Sequence, residues 1–244
     1  MVPTAGIVII GDEILSGMVQ DSNSFFMVRE LRRIGIDVRH ISVIGDDIDE
    51  IACEVKEISG RYAYVFTSGG IGPTHDDVTI PGIARAFGVQ PVIHEKLRDF
   101  LVKHFGFCLS PEQLRMAEVP GGAEVIQDKS IGLPLILFRN IYILPGIPEY
   151  LREKFHVITR LIFNGKPPGM RKVYLTEYES RLAPLLNEIV REYRGVKIGS
   201  YPAVNRRDYC VMVTMESRDE ECLRSAVQSL LCGVPPGKVV RVEE

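Results

Sequence analysis

Thr67-Ser68-Gly69-Gly70-Ile71-Gly72-Pro73-Thr74-His75-Asp76-Asp77 follows the short apolar run Tyr62–Phe66 and precedes Val78–Phe87, which has helical patterning. A β-rich run, a glycine turn and a helix read together as a strand–loop–helix unit. Three glycines within four residues let backbone N–H groups approach an anion with no Cβ in the way. Asp76 or Asp77 stands where an N-cap is favourable, and Pro81 falls in the first helical turn, where it does no harm. The plainer alternative is a glycine turn followed by a capping aspartate. The dinucleotide fingerprint and the Walker loop are both excluded, because the third glycine and the Gly-Lys-Ser/Thr are missing.

The same rhythm extends outward. Ala5–Ile10 and Val38–Ile44 are further short apolar runs ending at glycine. Between them lies a helical segment, Phe25–Ile34, with Ser22 or Asn23 as cap and Gly35 as stop. Ile48–Ile58 is a second helical segment, capped by Asp47. Ile141–Leu144 then leads through Pro145-Gly146-Ile147-Pro148 into a helix reaching about Ile162. Strands alternating with helices imply right-handed crossovers and a parallel sheet covered by helices, an α/β fold. Asn164-Gly165-Lys166-Pro167-Pro168-Gly169 is the clearest linker, separating a domain over 1–165 from one over 170–244. Beyond it the order β-α-β-β-α-β predicts a small α+β domain, a split βαβ unit.

In an open parallel sheet, ligands bind beyond the carboxyl ends of the strands. The loops there carry Gly11-Asp12-Glu13, Gly45-Asp46-Asp47, Gly69–Asp77 and Pro145–Glu149. A phosphate brought to Asp12, Glu13, Asp46, Asp76 and Asp77 is repelled unless a cation intervenes. Mg²⁺ meets that need with one or two carboxylates plus phosphate oxygens, Mn²⁺ and Co²⁺ being the alternatives; Asp47 is read as a helix cap. His75, inside the loop, is placed to bond a phosphate or share in proton transfer. His40, His104 and His156 read as structural.

Composition narrows the classes. The 244 residues carry 29 basic and 32 acidic side chains, a net charge of −3, with no basic stripe of the kind nucleic acid needs. No apolar run approaches the ~18–20 residues of a membrane span. The N-terminal stretch lacks the basic lead of a secretory signal. Five cysteines without a Cys-x-x-Cys pair point to a reducing cytoplasm, and to neither a disulfide framework nor zinc.

Gly11-Asp12-Glu13-Ile14-Leu15-Ser16-Gly17, Asp21-Ser22-Asn23, Val43-Ile44-Gly45-Asp46-Asp47 and Ser68 through Thr79 carry a family resemblance. So do Arg115-Met116-Ala117, Val119-Pro120, Leu144 through Glu149 and Gly199-Ser200-Tyr201-Pro202. Together they resemble the molybdopterin-binding family of MoaB and MogA. The branch most similar comprises the N-terminal half of the competence/damage-inducible protein CinA and the molybdopterin-binding-like domain of eukaryotic FAD synthase. The resemblance implies a three-layer α/β/α domain followed by a small α+β domain, and a homo-oligomer, dimer or trimer. It implies catalytic roles for Asp46 and Asp77, with Asp12, Glu13, Asp46, Asp76 and Asp77 as metal ligands. Ser68, Gly69, Gly70, Gly72, Pro73, Thr74, His75, Gly146 and Pro148 would hold a nucleotide or pterin phosphate.

The implied activity is metal-dependent cleavage of a nucleotide pyrophosphate such as ADP-ribose or FAD. A pterin-binding or adenylyl-transferring role in molybdenum cofactor assembly and a non-catalytic nucleotide-binding module are the alternatives. CinA's amidase and FAD synthase's adenylyltransferase are not expected in a chain ending at Glu244. Where CinA has an Ala-Pro-Gly stretch, this sequence reads Ile131-Gly132-Leu133-Pro134-Leu135, which implies a different substrate-facing wall.

Overall fold

The computed structural model describes residues 2–163, 165–204, 206 and 208–244; Asn164, the first residue of the expected linker, lies outside them. Its first half runs β1 (Thr4–Ile10), α1 (Asp12–Leu15), α2 (Asn23–Arg33), β2 (Asp37–Ile44), α3 (Ile48–Arg61), β3 (Tyr64–Ser68) and α4 (Thr79–Phe87). Then come β4 (Pro91–Ile93), α5 (Glu95–Phe105), α6 (Pro111–Arg115), β5 (Glu118–Pro120), β6 (Glu124–Ile126), β7 (Leu135–Phe138), β8 (Ile141–Leu144) and α7 (Pro148–Leu161). These elements belong to a unit ending at Lys166; a second compact unit begins at Pro167.

β1 is apolar almost throughout because both its faces are covered. Ile7 and Ile9 pack with Met27, Leu31 and Phe155, whereas Val8 and Ile10 pack with Ile51, Val55 and Ile83. A strand buried on both faces belongs in the interior of a parallel sheet. The sheet order is β2-β1-β3-β8-β7-β6, parallel from β2 to β8 and antiparallel over β7 and β6. Helices α2 and α7 pack together over one face, and α3 and α4 over the other. This is the expected α/β/α layering with a mostly parallel sheet.

Two local expectations are corrected. The third strand starts at Tyr64 rather than Tyr62, because α3 continues to Arg61 and the Tyr62 N–H closes its last turn on the Ile58 carbonyl. Ser22 stands at the N-cap position of α2, but its side chain makes no capping bond. Asp21 accepts the N–H groups of Asn23 (2.8 Å) and Ser24 (3.1 Å) instead.

The second unit contains β9 (Gly169–Leu175), α8 (Glu179–Glu192), β10 (Lys197–Pro202), β11 (Val211–Ser217), α9 (Glu220–Gly233) and β12 (Val239–Glu243). Its antiparallel sheet, ordered β10-β11-β9-β12, places the first and third strands at the centre. This is the split βαβ arrangement. Val173, Val213, Leu182 and Leu223 help fill a core of its own.

Candidate active site at the carboxyl edge of the parallel sheet

Because β1, β2, β3 and β8 are parallel, the four loops that follow them open at one edge. The loops after β1 and β2 are joined by a reciprocal pair of bonds. The Asp12 N–H donates to Asp46 Oδ2 at 3.0 Å, and the Asp46 N–H donates to Asp12 Oδ1 at 3.3 Å. Gly45 makes room for this, since a Cβ there would stand 2.7 Å from Asp12 Oδ1. One oxygen of each carboxylate is thereby used, and the other has no hydrogen bond among the described residues. The Asp46 carboxyl is held above the usual aspartate range, first by partial burial and then by the charges of Asp12, Glu13 and Asp76. The Asp12 N–H works against that rise. Four of the five acids expected to ligate a metal therefore share one electrostatic neighbourhood.

Asp77 is placed differently. Its Oδ1 accepts the Gly72 N–H at 2.6 Å, and its Oδ2 accepts the N–H and hydroxyl of Thr74 at 2.8 and 2.6 Å. Its carboxylate thus braces its own loop. The helix cap expected from Asp76 or Asp77 is not formed: α4 starts at Thr79 with no side-chain cap, because three donors inside the loop hold the Asp77 carboxylate. Thr79, fully buried, ties the helix start back through its hydroxyl to the Gly69 carbonyl at 2.8 Å. Asp76 is exposed, and the Thr74 hydroxyl, its own N–H and His75 keep it below the usual aspartate range. The His75 side chain is 98% exposed, 3.8 Å from Asp76.

The glycines are fixed by close packing as much as by ligand access. Gly69 has φ +112°, and a Cβ there would fall 2.1 Å from the Ile10 carbonyl oxygen. Gly70 has φ +62°, with its Cβ position 2.4 Å from the Thr79 hydroxyl. Of the three N–H groups expected to face an anion, that of Gly69 goes to the Leu144 carbonyl at 3.2 Å and that of Gly72 to Asp77. Those of Gly70 and Ile71 have no acceptor among the described residues. Pro73 and Thr74 lie on the outer limb of the loop.

Ser68 is buried. Its hydroxyl accepts from Asn23 Nδ2 at 3.0 Å and donates to the Pro145 carbonyl at 3.2 Å, while Asn23 also donates to the Gly146 carbonyl at 2.7 Å. Ser68 therefore holds the β8 loop in place. Asn23, Glu13, Gly146 and Pro148 border a cleft. Another cleft is bordered by Gly70, Ile71 and Asp77 of the loop together with Arg115 and Lys154. Asn23, Arg115 and Lys154 were not among the expected site residues. Lys154 had a legible signal: with Leu151, Phe155 and Ile158 it falls on the buried stripe of α7, an unusual place for an ammonium group.

Among the described residues, no group of three or more His, Cys, Asp or Glu side chains could enclose a metal ion. The Asp12–Asp46 pair nevertheless fits Mg²⁺, Mn²⁺ or Co²⁺ bound through two carboxylate oxygens, the remaining positions going to water and phosphate. The carboxyl of Asp46, raised by burial and then by like charges, is a group whose ionised form a cation would favour. No described helix is long and apolar enough to cross a membrane.

Residues 6–164 match the family described as "Probable molybdopterin binding domain", and residues 169–243 match "FAD synthase, middle domain". The chain belongs to the molybdopterin-binding domain family. Within that class it is similar to a "Probable FAD synthase" of Caenorhabditis elegans, 32% identical over 93% of this chain and 49% of that protein. The chain thus spans about half the length of the FAD synthase it matches. A protein of Archaeoglobus fulgidus is 34% identical over 91% of this chain and 94% of its own length. Among solved structures, the CinA protein of Thermoplasma acidophilum, described as of unknown function, shares 30% identity at a TM-score of 0.61. That match covers 66% of this chain and 98% of the CinA chain.

Proposed function

We propose that this chain is a divalent-metal-dependent pyrophosphatase acting on dinucleotides of the ADP-ribose or FAD type. The observation that carries the proposal is the reciprocal Asp12–Asp46 pair beside a glycine turn with two unused N–H groups. Similarity to FAD synthases, named for a dinucleotide with a diphosphate bridge, supports the substrate class.

A divalent cation bound by Asp12 and Asp46 would polarise a phosphoryl oxygen and favour ionisation of a water. The chain's own residues then divide the work. The Gly70 and Ile71 N–H groups orient phosphate oxygens, and the Asp77 brace keeps that turn in shape. A water oxygen forms a bond to one phosphorus as the bridging P–O bond breaks, giving two phosphomonoesters and releasing one proton. Asp46, with one carboxylate oxygen free of hydrogen bonds among the described residues, takes that proton and passes it to solvent.

The test is release of AMP from ADP-ribose, FAD and NAD in Mg²⁺, Mn²⁺, Co²⁺ or EDTA, with thermal-shift readings on the same samples and on molybdopterin. Cleavage that requires the metal, and that falls at least about 100-fold in Asp46→Asn, is the expected result. Stabilisation by a dinucleotide without cleavage would instead define a binding module. A response to molybdopterin alone would place the chain in cofactor assembly.

A further inference from the structure

Lys154 is 1% exposed, the one fully buried lysine among the described residues. Its Nζ donates to the Pro134 carbonyl, and among the described residues it makes no other hydrogen bond and no ion pair. An ammonium carries three donors and a full charge, so one carbonyl leaves it badly under-satisfied. The group lies on the wall of the cleft that opens onto Gly70 and Ile71.

Four charged side chains line that cleft. They are Asp77 from the loop, Arg115 at the end of α6, Glu118 of β5 and Lys154 itself; α5 and β7 contribute Leu97 and Ile136. The Asp77 carboxylate is taken up by Gly72 and Thr74. Arg115 donates one bond to the Asp77 carbonyl at 3.3 Å; its charge reaches Glu112, but it forms no ion pair among the described residues. Two cations without a bound carboxylate therefore share a cleft with the two unused N–H groups of the glycine turn. Glu118 brings one further carboxylate, without a hydrogen bond or ion pair among the described residues, so the donors of the cleft still outnumber its free acceptors.

We propose that Lys154 and Arg115 form an anion subsite that receives a phosphate group of the ligand against the Gly70–Ile71 turn. The proposal rests on the dinucleotide reading above for the identity of the ligand, and adds the residues that hold its diphosphate. Burial lowers the Lys154 amine from 10.5 to about 7, with no charged neighbour contributing. An anion arriving beside it favours the ammonium form, so binding takes up a proton.

The experiment is calorimetric titration of the full chain, in EDTA to prevent turnover, with sulfate and with ADP-ribose. Neither probe titrates between pH 6 and 9 in its anionic groups, so a pH dependence belongs to the protein. Wild-type affinity is expected to fall by up to about tenfold per pH unit above 7. Two buffers of different ionisation enthalpy should report uptake of about half a proton or more at pH 7.5. Lys154→Met should lose at least about tenfold in affinity together with the pH dependence, and Arg115→Met should lose affinity while retaining it.

Unchanged affinity and pH profile in Lys154→Met would overturn the subsite, as would absence of binding of both probes to the folded wild-type chain. Should Lys154→Met fail to fold, proton uptake measured in His75→Ala decides: uptake that persists without the imidazole upholds the subsite and its loss overturns it. Lys154-dependent sulfate binding without ADP-ribose binding would uphold the anion subsite while removing the dinucleotide reading. ADP-ribose binding that ignores Lys154 would do the reverse.

Discussion

At the scale of single residues, Asp46 follows Gly45 and Asp77 ends a glycine loop at the same sheet edge, but they do opposite things. Asp77 spends both oxygens on its own turn, so Asp77→Asn removes one acceptor from a three-bond brace. The expected outcome is a weaker ligand affinity and a lower melting temperature, with about 1–3 kcal/mol lost in denaturant titration. A variant of full stability with no turnover would return Asp77 to the chemistry. Asp46 is set against like charges instead, and its carboxyl is raised. Between the ordinary aspartate value and that raised value the folded chain binds more proton than the unfolded one, so stability from this group falls as pH rises through that window. Asp46→Asn, measured by thermal unfolding at neutral pH, should therefore melt no lower than the wild type while losing turnover. A third residue makes a purely structural prediction. The Thr67 hydroxyl is buried with no hydrogen-bond partner among the described residues, so Thr67→Val should gain about 1 kcal/mol in chemical denaturation.

Among the elements, the loop between β3 and α4 is held from three sides. The Gly69 N–H reaches Leu144, the Thr79 hydroxyl reaches the Gly69 carbonyl, and Asp77 closes the outer limb. Gly69→Ala would drive a Cβ into the Ile10 carbonyl at a backbone angle that side chains avoid. A loss of at least about 3 kcal/mol is expected, read as a shifted denaturation midpoint. Helix α7 carries the other element-scale test. Between about pH 7 and 10.5 the unfolded chain keeps the Lys154 proton that the folded chain has released. Wild-type stability therefore rises with pH across that window, and Lys154→Met should be more stable at pH 7, with the difference shrinking toward pH 10. A parallel pH profile for both chains would contradict the lowered amine.

For the whole molecule, every residue of the candidate site lies before Lys166, in a unit with its own two cores, while the residues from Pro167 fill a separate one. A chain ending at Lys166 is expected to fold with native-like circular dichroism and to retain ADP-ribose binding within about threefold. Loss of binding in a folded fragment would assign the second unit a share in the site. The chain covers both matched domains but only about half of the FAD synthase it resembles.

The strand–helix alternation, the common edge of the four loops and the β-α-β-β-α-β order of the second unit were all legible in the sequence. They follow from side-chain periodicity and from glycine and proline, which act within a few residues. The layout between residues 88 and 140 was not legible: its strands are three or four residues long, too short for periodicity to register. The sequence could also name the acids of the edge but not sort them. Asp46 and Asp77 occupy similar local contexts, and only the packed structure decides that one faces Asp12 while the other closes a turn. Lys154 shows the same division. Its place on an apolar stripe is a property of the sequence, whereas its burial against Pro134 beside Gly70, 84 residues away in the chain, arises only when β3, β7 and α7 meet at one edge.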